Sequence, residues 1–194
     1  MLLPLIFMLF AYLLGSLSSA IIVCKLARLP DPRTQGSGNP GASNVLRIGG
    51  KRLAGIVLLG DMLKGWIPVM LAKFFGLPFV FLPWVAFFVF IGHLFPIFFG
   101  FRGGIGVATA LGGLLALAWP IGLIGLLSWC VILFLFRYIS LASISASALT
   151  FLYVFYEYPL PIYLPIFLMT ILLIARHTLN IRRLLLGKEP KLNI

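Results

Sequence analysis

From Leu2 to Cys24 the chain carries no charged residue, and further apolar runs follow at 53–75, 79–98, 106–119, 121–136, 141–157 and 159–175. A helix needs about 20 apolar residues to cross the hydrocarbon core of a bilayer. No water reaches the backbone there, so a spanning segment must satisfy its own N–H and C=O groups, as a helix does. Composition agrees: 62% of the residues are hydrophobic and 10% are charged, where a soluble domain carries roughly 25% charged residues. The expected fold is an all-α integral membrane protein of about seven transmembrane helices, forming a single polytopic domain over residues 1–194. The fourth and fifth runs are short and meet at Trp119–Pro120. They form either two tilted spans or a re-entrant hairpin, and both choices return the chain to the same side.

Charge placement orients these spans. All lysines and arginines except Lys64 and Lys73 fall in segments that the alternation assigns to one side. Lys and Arg mark cytoplasmic loops, so the N-terminus is expected outside and the C-terminus in the cytoplasm. The N-terminal run has no preceding Lys or Arg and therefore lacks the charged start of a signal peptide. It reads as a retained first span. The net charge of +11 does not point to nucleic acid, because no basic groove interleaved with aromatics is present. Cys24 and Cys130 lie in apolar runs with no metal-ligand spacing. The basic clusters instead suit anionic lipid headgroups or anionic substrates.

Several polar segments emerge on the expected cytoplasmic side. Residues 36–47 read GSGNPGASNVLR. Glycines there allow successive N–H groups to face one anion. Ser37, Asn39, Ser43 and Asn44 add donors, and Arg47 adds a planar fork suited to phosphate. Residues 100–109 read GFRGGIGVAT and open the fourth run. A glycine-rich turn before a helix N-terminus suits an anion, and Arg102 stands beside it. Both segments also read as ordinary loops, the second as a tight membrane hairpin packed through small residues. Asp61 and Lys64, three apart on one helix face, read best as a self-neutralising pair, with His93 hydrogen-bonded nearby. Ser143 follows Ser140 at the start of the sixth run, a usual place for packing serines. His177 has the natural pKa suited to proton transfer.

Taken together, GSGNPGASNVLR at 36–47, DMLKG at 61–65, GHLFPIFFGFRGGIGVATALG at 92–112, RYISLASISA at 137–146 and RHTLNIRRLLLGKE at 176–189 resemble the bacterial acyl-phosphate:glycerol-3-phosphate acyltransferases over nearly the whole chain. The resemblance implies a cytoplasm-facing site in the inner membrane. There a fatty acyl group passes from acyl-phosphate to the 1-hydroxyl of glycerol 3-phosphate, in membrane lipid, without metal or cofactor. The products are lysophosphatidate and phosphate. It further implies that Ser37, Asn39, Asn44, Arg47 and Arg102 hold phosphate. Gly103, Gly104 and Gly106 bring backbone close to an anion, and Ser143, His177 and Asn180 surround the reacting centre.

One departure stands out. The family pattern in the second segment carries a lysine where this chain has Ile105. Either Arg102 supplies the missing charge, or activity or substrate preference differs. Two other readings therefore remain: a non-catalytic relative that binds lipid or phosphate, and a small transporter using Asp61, Lys64 and His93. A transporter commonly shows internal repeats, and none is evident between the halves of this chain.

Overall fold

The computed structural model describes residues 2–192. Among these the regular structure is helical throughout. The first apolar run is a broken span, with α1 (Leu2–Gly15) followed by α2 (Ser19–Leu26). Ser18 caps α2 by accepting from the Ile21 N–H at 3.4 Å. The break frees the Leu17 carbonyl, and Lys64 Nζ reaches it at 2.7 Å. Irregular backbone at membrane depth persists only when protein satisfies it in this way.

The third helix, α3 (Ala42–Phe74), has 33 residues and a kink at Gly50, where φ is 80°. At 1.5 Å per residue the part after the kink, residues 51–74, rises about 36 Å and by itself matches a hydrocarbon core of about 30 Å, and the part before the kink carries Ser43, Asn44 and Arg47. The sequence suggested a glycine-rich loop up to Arg47. Instead the helix begins at Ala42, so Ser43, Asn44 and Arg47 are helical. The last glycine before it, Gly41, leaves a run of ordinary helix formers.

A 3₁₀ turn (Phe79–Phe81) leads into α4 (Leu82–Leu94), and a second turn (Ile97–Phe99) precedes the glycine loop. Then come α5 (Val107–Leu117), α6 (Trp119–Phe136), α7 (Ile139–Glu157), α8 (Leu160–Arg176) and α9 (Thr178–Leu185). The expected fourth span is shorter than the others. With 11 residues, α5 rises about 16 Å, roughly half of the core. Gly103, Gly104 and Gly106 are spent in the loop before it, and Ala118 leaves the helix ahead of Trp119 and Pro120, which open α6. Among the described residues five segments are long and apolar enough to cross: Leu2–Leu26, α3, Phe79–Phe99, α6 and α7. The pair α8–α9, bent by 58°, meets the same length and apolarity only when the two helices are taken together, as a broken span or a re-entrant loop. Large side chains such as Phe74 and Phe134 face outward around the bundle, as expected where lipid is the solvent.

Two glycine crossings hold the bundle tightly. A Cβ added at Gly112 of α5 would lie 2.0 Å from the Met62 carbonyl oxygen, and one at Gly65 of α3 would lie 2.1 Å from the Thr109 carbonyl oxygen. Gly15 of α1 and Gly92 of α4 meet backbone in the same manner. Small residues replace hydrophobic driving force in lipid by letting backbones approach closely. Gly112→Ala is therefore expected to lower stability by at least the ~1–3 kcal/mol typical of overpacking, because rigid backbone opposes it. A melting temperature in detergent equal to that of the unaltered protein would contradict this.

The main apolar core includes Phe7, Val69, Leu82, Val85, Leu117, Ile121, Val154 and Ile162. It fills the half of the bundle near the 75–81 and 157–160 connections. The opposite end is polar. There Arg33 Nη1 donates to the Phe99 carbonyl, Arg176 to the Gly103 carbonyl, and the Leu192 N–H to the Arg137 carbonyl. The segments assigned to one side from charge alone thus meet at one end of the bundle.

Candidate functional site

The first segment is a loop braced from within. Asp31 grips Arg33 in a fork, accepting from Nε at 3.0 Å and from Nη2 at 2.6 Å. The Arg33 hydrogen bonds hold the Asp31 carboxyl below its usual range, against the opposing effect of burial. Asn44, fully buried, receives the Ser37 N–H at Oδ1 (2.9 Å) and donates to the Pro32 and Gln35 carbonyls at 2.8 and 2.9 Å. Its amide is therefore committed to holding the loop and offers no free donor to a phosphate. Gly36, at φ 59°, could not carry a side chain, since its Cβ would fall 2.2 Å from Asn44 Oδ1. Ser37 is exposed and Asn39 half-buried at the rim of this loop, and Arg47 is exposed on α3. Among the described residues Arg47 has no ion-pair partner.

The second segment differs from a free anion nest. The Gly103 N–H donates to the Leu94 carbonyl at 3.2 Å, and the Gly104 N–H to the His93 carbonyl at 3.1 Å. These donors are spent. The carbonyls of the two glycines instead receive Arg176 Nη2, at 2.7 and 3.1 Å. Gly106 takes a left-handed conformation (φ 91°) and caps α5. The first helical bond runs from the Ala110 N–H to the Gly106 carbonyl, so the N–H groups of the preceding turn have no carbonyl within the helix. Beneath the loop His93 faces Thr109 Oγ1 at 3.2 Å through Nδ1, and its Nε2 abuts Gly104. Asp61 Oδ1 lies 3.7 Å from His93 and 3.0 Å from Lys64 Nζ. Asp61 Oδ1 lacks hydrogen-bond alignment, so its attraction to Lys64 is Coulombic. The pairing expected from sequence is present, and it props the glycine loop from below.

The third cluster joins α7, the α8–α9 bend and the C-terminal tail. His177 is buried, with Nδ1 2.9 Å from the Leu173 carbonyl. A carbonyl only accepts, so Nδ1 carries a proton, and in the neutral ring Nε2 is the accepting nitrogen. Burial lowers the His177 pKa, against the raising effects of the Leu173 carbonyl and Glu189. Ser143, also buried, donates to the Ile139 carbonyl at 2.9 Å and accepts from Trp129 Nε1 at 3.1 Å. Asn180 Nδ2 donates to Glu189 Oε1 at 2.7 Å, as does Ser140 Oγ at 2.7 Å. Arg183 Nε donates to Oε2 at 2.7 Å. Burial alone would raise the Glu189 pKa, but the hydrogen bonds from Asn180, Arg183 and Ser140 hold it below the usual carboxylate range. Ser143 lies three residues after Ser140, and His177 three before Asn180. Glu189 thus pins together the helix faces that carry both.

Three residues of this end were not singled out from sequence: Arg33, Arg176 and Glu189. Acid rarity was the available signal. The chain has four Asp and Glu against 15 Lys and Arg, so each acid holds a choice of partners. Arg33, Gly38, Pro40, Phe101, Arg102, Gly103 and Arg176 line an open cavity of about 280 Å³. Ile105 points elsewhere, packing against the apolar cluster of Phe90, Leu94, Met169 and Leu173. Among the described residues no three His, Cys, Asp or Glu side chains gather as metal ligands.

Apolar helices around a bundle with one polar end, holding a buried imidazole and an arginine-lined cavity, define a multi-pass membrane protein with an anion-directed site. A profile of the glycerol-3-phosphate acyltransferase family matches residues 5–187. The glycerol-3-phosphate acyltransferase of Methylococcus capsulatus is 50% identical over 184 residues, covering 94% of this chain and 93% of its own length. That of Methylobacillus flagellatus is 51% identical, covering 95% and 94%. The crystal structure of PlsY (YgiH), an integral membrane glycerol 3-phosphate acyltransferase in its glycerol 3-phosphate form, matches with a TM-score of 0.92 at 42% identity. It covers 98% of this chain and 96% of that one. The chain belongs to the glycerol-3-phosphate acyltransferase family.

Proposed function

We propose that this protein transfers a fatty acyl group from acyl-phosphate to the 1-hydroxyl of glycerol 3-phosphate, at the cytoplasmic face of a bacterial inner membrane. The observation that carries this reading is His177, buried with Nδ1 tied to the Leu173 carbonyl and next in the chain to Arg176 of the arginine-lined cavity. The hydroxyl oxygen attacks the acyl carbonyl carbon, and the carbon–oxygen bond to phosphate breaks. The hydroxyl proton passes to His177 Nε2 or to the departing phosphate. Phosphate is already a good leaving group, so orientation and charge stabilisation suffice and no acyl-enzyme is needed. Ser143 and Asn180 position this centre, while Ser37, Asn39, Arg47, Arg102 and the α5 N-terminus after Gly106 face the phosphates. Acyl-phosphate supplied to purified protein should release phosphate in proportion to lysophosphatidate formed, and only with glycerol 3-phosphate present. No acyl transfer would return the chain to the non-catalytic reading.

Arg47→Ala is expected to raise the KM for a phosphorylated substrate about ten- to a hundredfold, the scale of one charged hydrogen bond. Arg47→Lys should recover part of this, because the planar fork is lost. Unchanged kinetics in Arg47→Ala would reduce this arginine to a topology signal. Orientation is tested separately with single cysteines on a background lacking Cys24 and Cys130. Positions near 40, 102 and 185 should resist an impermeant thiol reagent in intact cells, and positions near 77 and 158 should react. Labelling at 40 would overturn the cytoplasmic assignment.

A further inference from the structure

We propose that Trp129 of α6 is a positioning residue for acyl transfer: its indole N–H holds the Ser143 hydroxyl oxygen in place while the hydroxyl hydrogen turns to a substrate oxygen. This rests on the acyltransferase reading, which places Ser143 at the reacting centre.

An indole N–H can only donate, and a hydroxyl carries one hydrogen and two lone pairs. Trp129 Nε1 donates to Ser143 Oγ at 3.1 Å, and Ser143 Oγ donates to the Ile139 carbonyl at 2.9 Å. To serve a substrate oxygen, the hydroxyl hydrogen must leave that carbonyl. Among the described residues Trp129 is then the one hydrogen-bond partner still holding Oγ. An oxygen that already accepts a hydrogen bond also makes its own hydrogen a stronger donor.

The packing of α6 on α7 brings these two side chains together. Gly125 lets the helices approach, since a Cβ there would lie 3.0 Å from Thr150 Oγ1. Trp129 lies one turn further along α6, and Ser143 two turns back along α7. Of the α6 residues only Ile121 and Gly122, near its start, are buried. Among the described residues the bond to Ser143 is the one side-chain hydrogen bond that α6 makes.

Satisfying an indole N–H within the membrane requires some acceptor, and α7 carries several hydroxyls. Ser147 and Thr150 donate to carbonyls of α7, and Ser140 donates to Glu189. Ser143 is the one whose oxygen receives a side-chain donor. It stands one turn after Ser140, which Glu189 ties to Asn180 of α9 with two bonds of 2.7 Å. The backbone beneath Ser143 is thus fixed from the α9 side. The remaining freedom is the rotation of its hydroxyl group, and that is what Trp129 restricts.

The test is a double-mutant cycle on kcat, with the full chain in lipid nanodiscs supplied with acyl-phosphate and glycerol 3-phosphate. Trp129→Phe removes the N–H and keeps an aromatic ring. It should lower kcat about two- to tenfold, the scale of one neutral hydrogen bond. KM for glycerol 3-phosphate should change little, because charge builds on the acyl carbonyl oxygen only in the transition state. Ser143→Ala should lower kcat at least as much. Trp129→Phe added to Ser143→Ala should then cause no further loss, since the group it acts through is gone. Melting temperatures establish that each variant is folded, and Trp129→Leu repeats the cycle without an aromatic ring. Equal fold-losses from the tryptophan change with and without Ser143 would reduce Trp129 to a packing residue and overturn the proposal. Undiminished kcat in folded Trp129→Phe and Trp129→Leu would do the same, and either result leaves the acyltransferase reading intact. No acyl transfer by the unaltered chain would overturn that reading and the positioning role with it.

Discussion

His177→Ala is expected to lower kcat by about a hundred- to ten-thousandfold, the range for loss of a positioned general base, with KM for either substrate little changed. The ring cannot rotate freely, because Nδ1 is tied to the Leu173 carbonyl at 2.9 Å. Its accepting nitrogen is thereby fixed before substrate arrives. Burial holds the His177 pKa below the ordinary imidazole value. The neutral form is therefore full above that lowered value and is lost as pH falls through it. The acid limb of kcat should accordingly lie below pH ~6.5, the unperturbed imidazole pKa. A folded His177→Ala protein with undiminished kcat would transfer the proton to the acyl-phosphate's own phosphate. An acid limb above the ordinary imidazole value would contradict the neutral-base account.

Lys64→Met is expected to destabilise the protein by about 3–5 kcal/mol, the cost of leaving a buried charge without its partner. Two groups lose Lys64 together: the Asp61 carboxylate at 3.0 Å and the Leu17 carbonyl at 2.7 Å. Asp61 and Lys64 are each almost wholly buried. In Asp61→Asn combined with Lys64→Met the stranded charge disappears, so much of the loss should return. Melting of the single and double variants in the same detergent separates these outcomes. Equal destabilisation by both would place the cost in the broken first span rather than in the charge. A transporter would need this pair and His93 to change partners during transport. Here they fill the space beneath the glycine loop, with His93 against Gly104.

The helices were legible in the sequence because their cause is local. Runs of apolar residues in lipid have few alternatives to a helix, and lysine and arginine placement needs no tertiary contact to be counted. That is why the polar segments could be assigned to one side before any of them was seen to meet. The limits of legibility were also local. The span at 2–24 reads as continuous, yet it breaks at Ser16–Ser18, because the carbonyl it frees finds Lys64 from a helix 47 positions away. The run at 106–119 reads as a span, yet α5 is 11 residues long, because a glycine loop and an extended Ala118 shorten it from both ends.

The site was legible as residue types and hidden as partners. The sequence by itself determined that glycines, arginines, a serine, a histidine and an asparagine would gather on one face, since chain alternation and charge dictate sidedness. Only the tertiary structure decided which donors remain free. Gly103, Gly104 and Asn44 carry groups suited to phosphate, but carbonyls at 94, 93, 32 and 35 take them first. Arg176, by contrast, is drawn onto the glycine loop and keeps donors to spare. Glu189 gathers Ser140, Asn180 and Arg183, joining α7 to α9 through a carboxylate that sequence spacing does not link to them. The physical reason is that a buried polar group must find a partner, and helix packing alone sets which partner lies within reach.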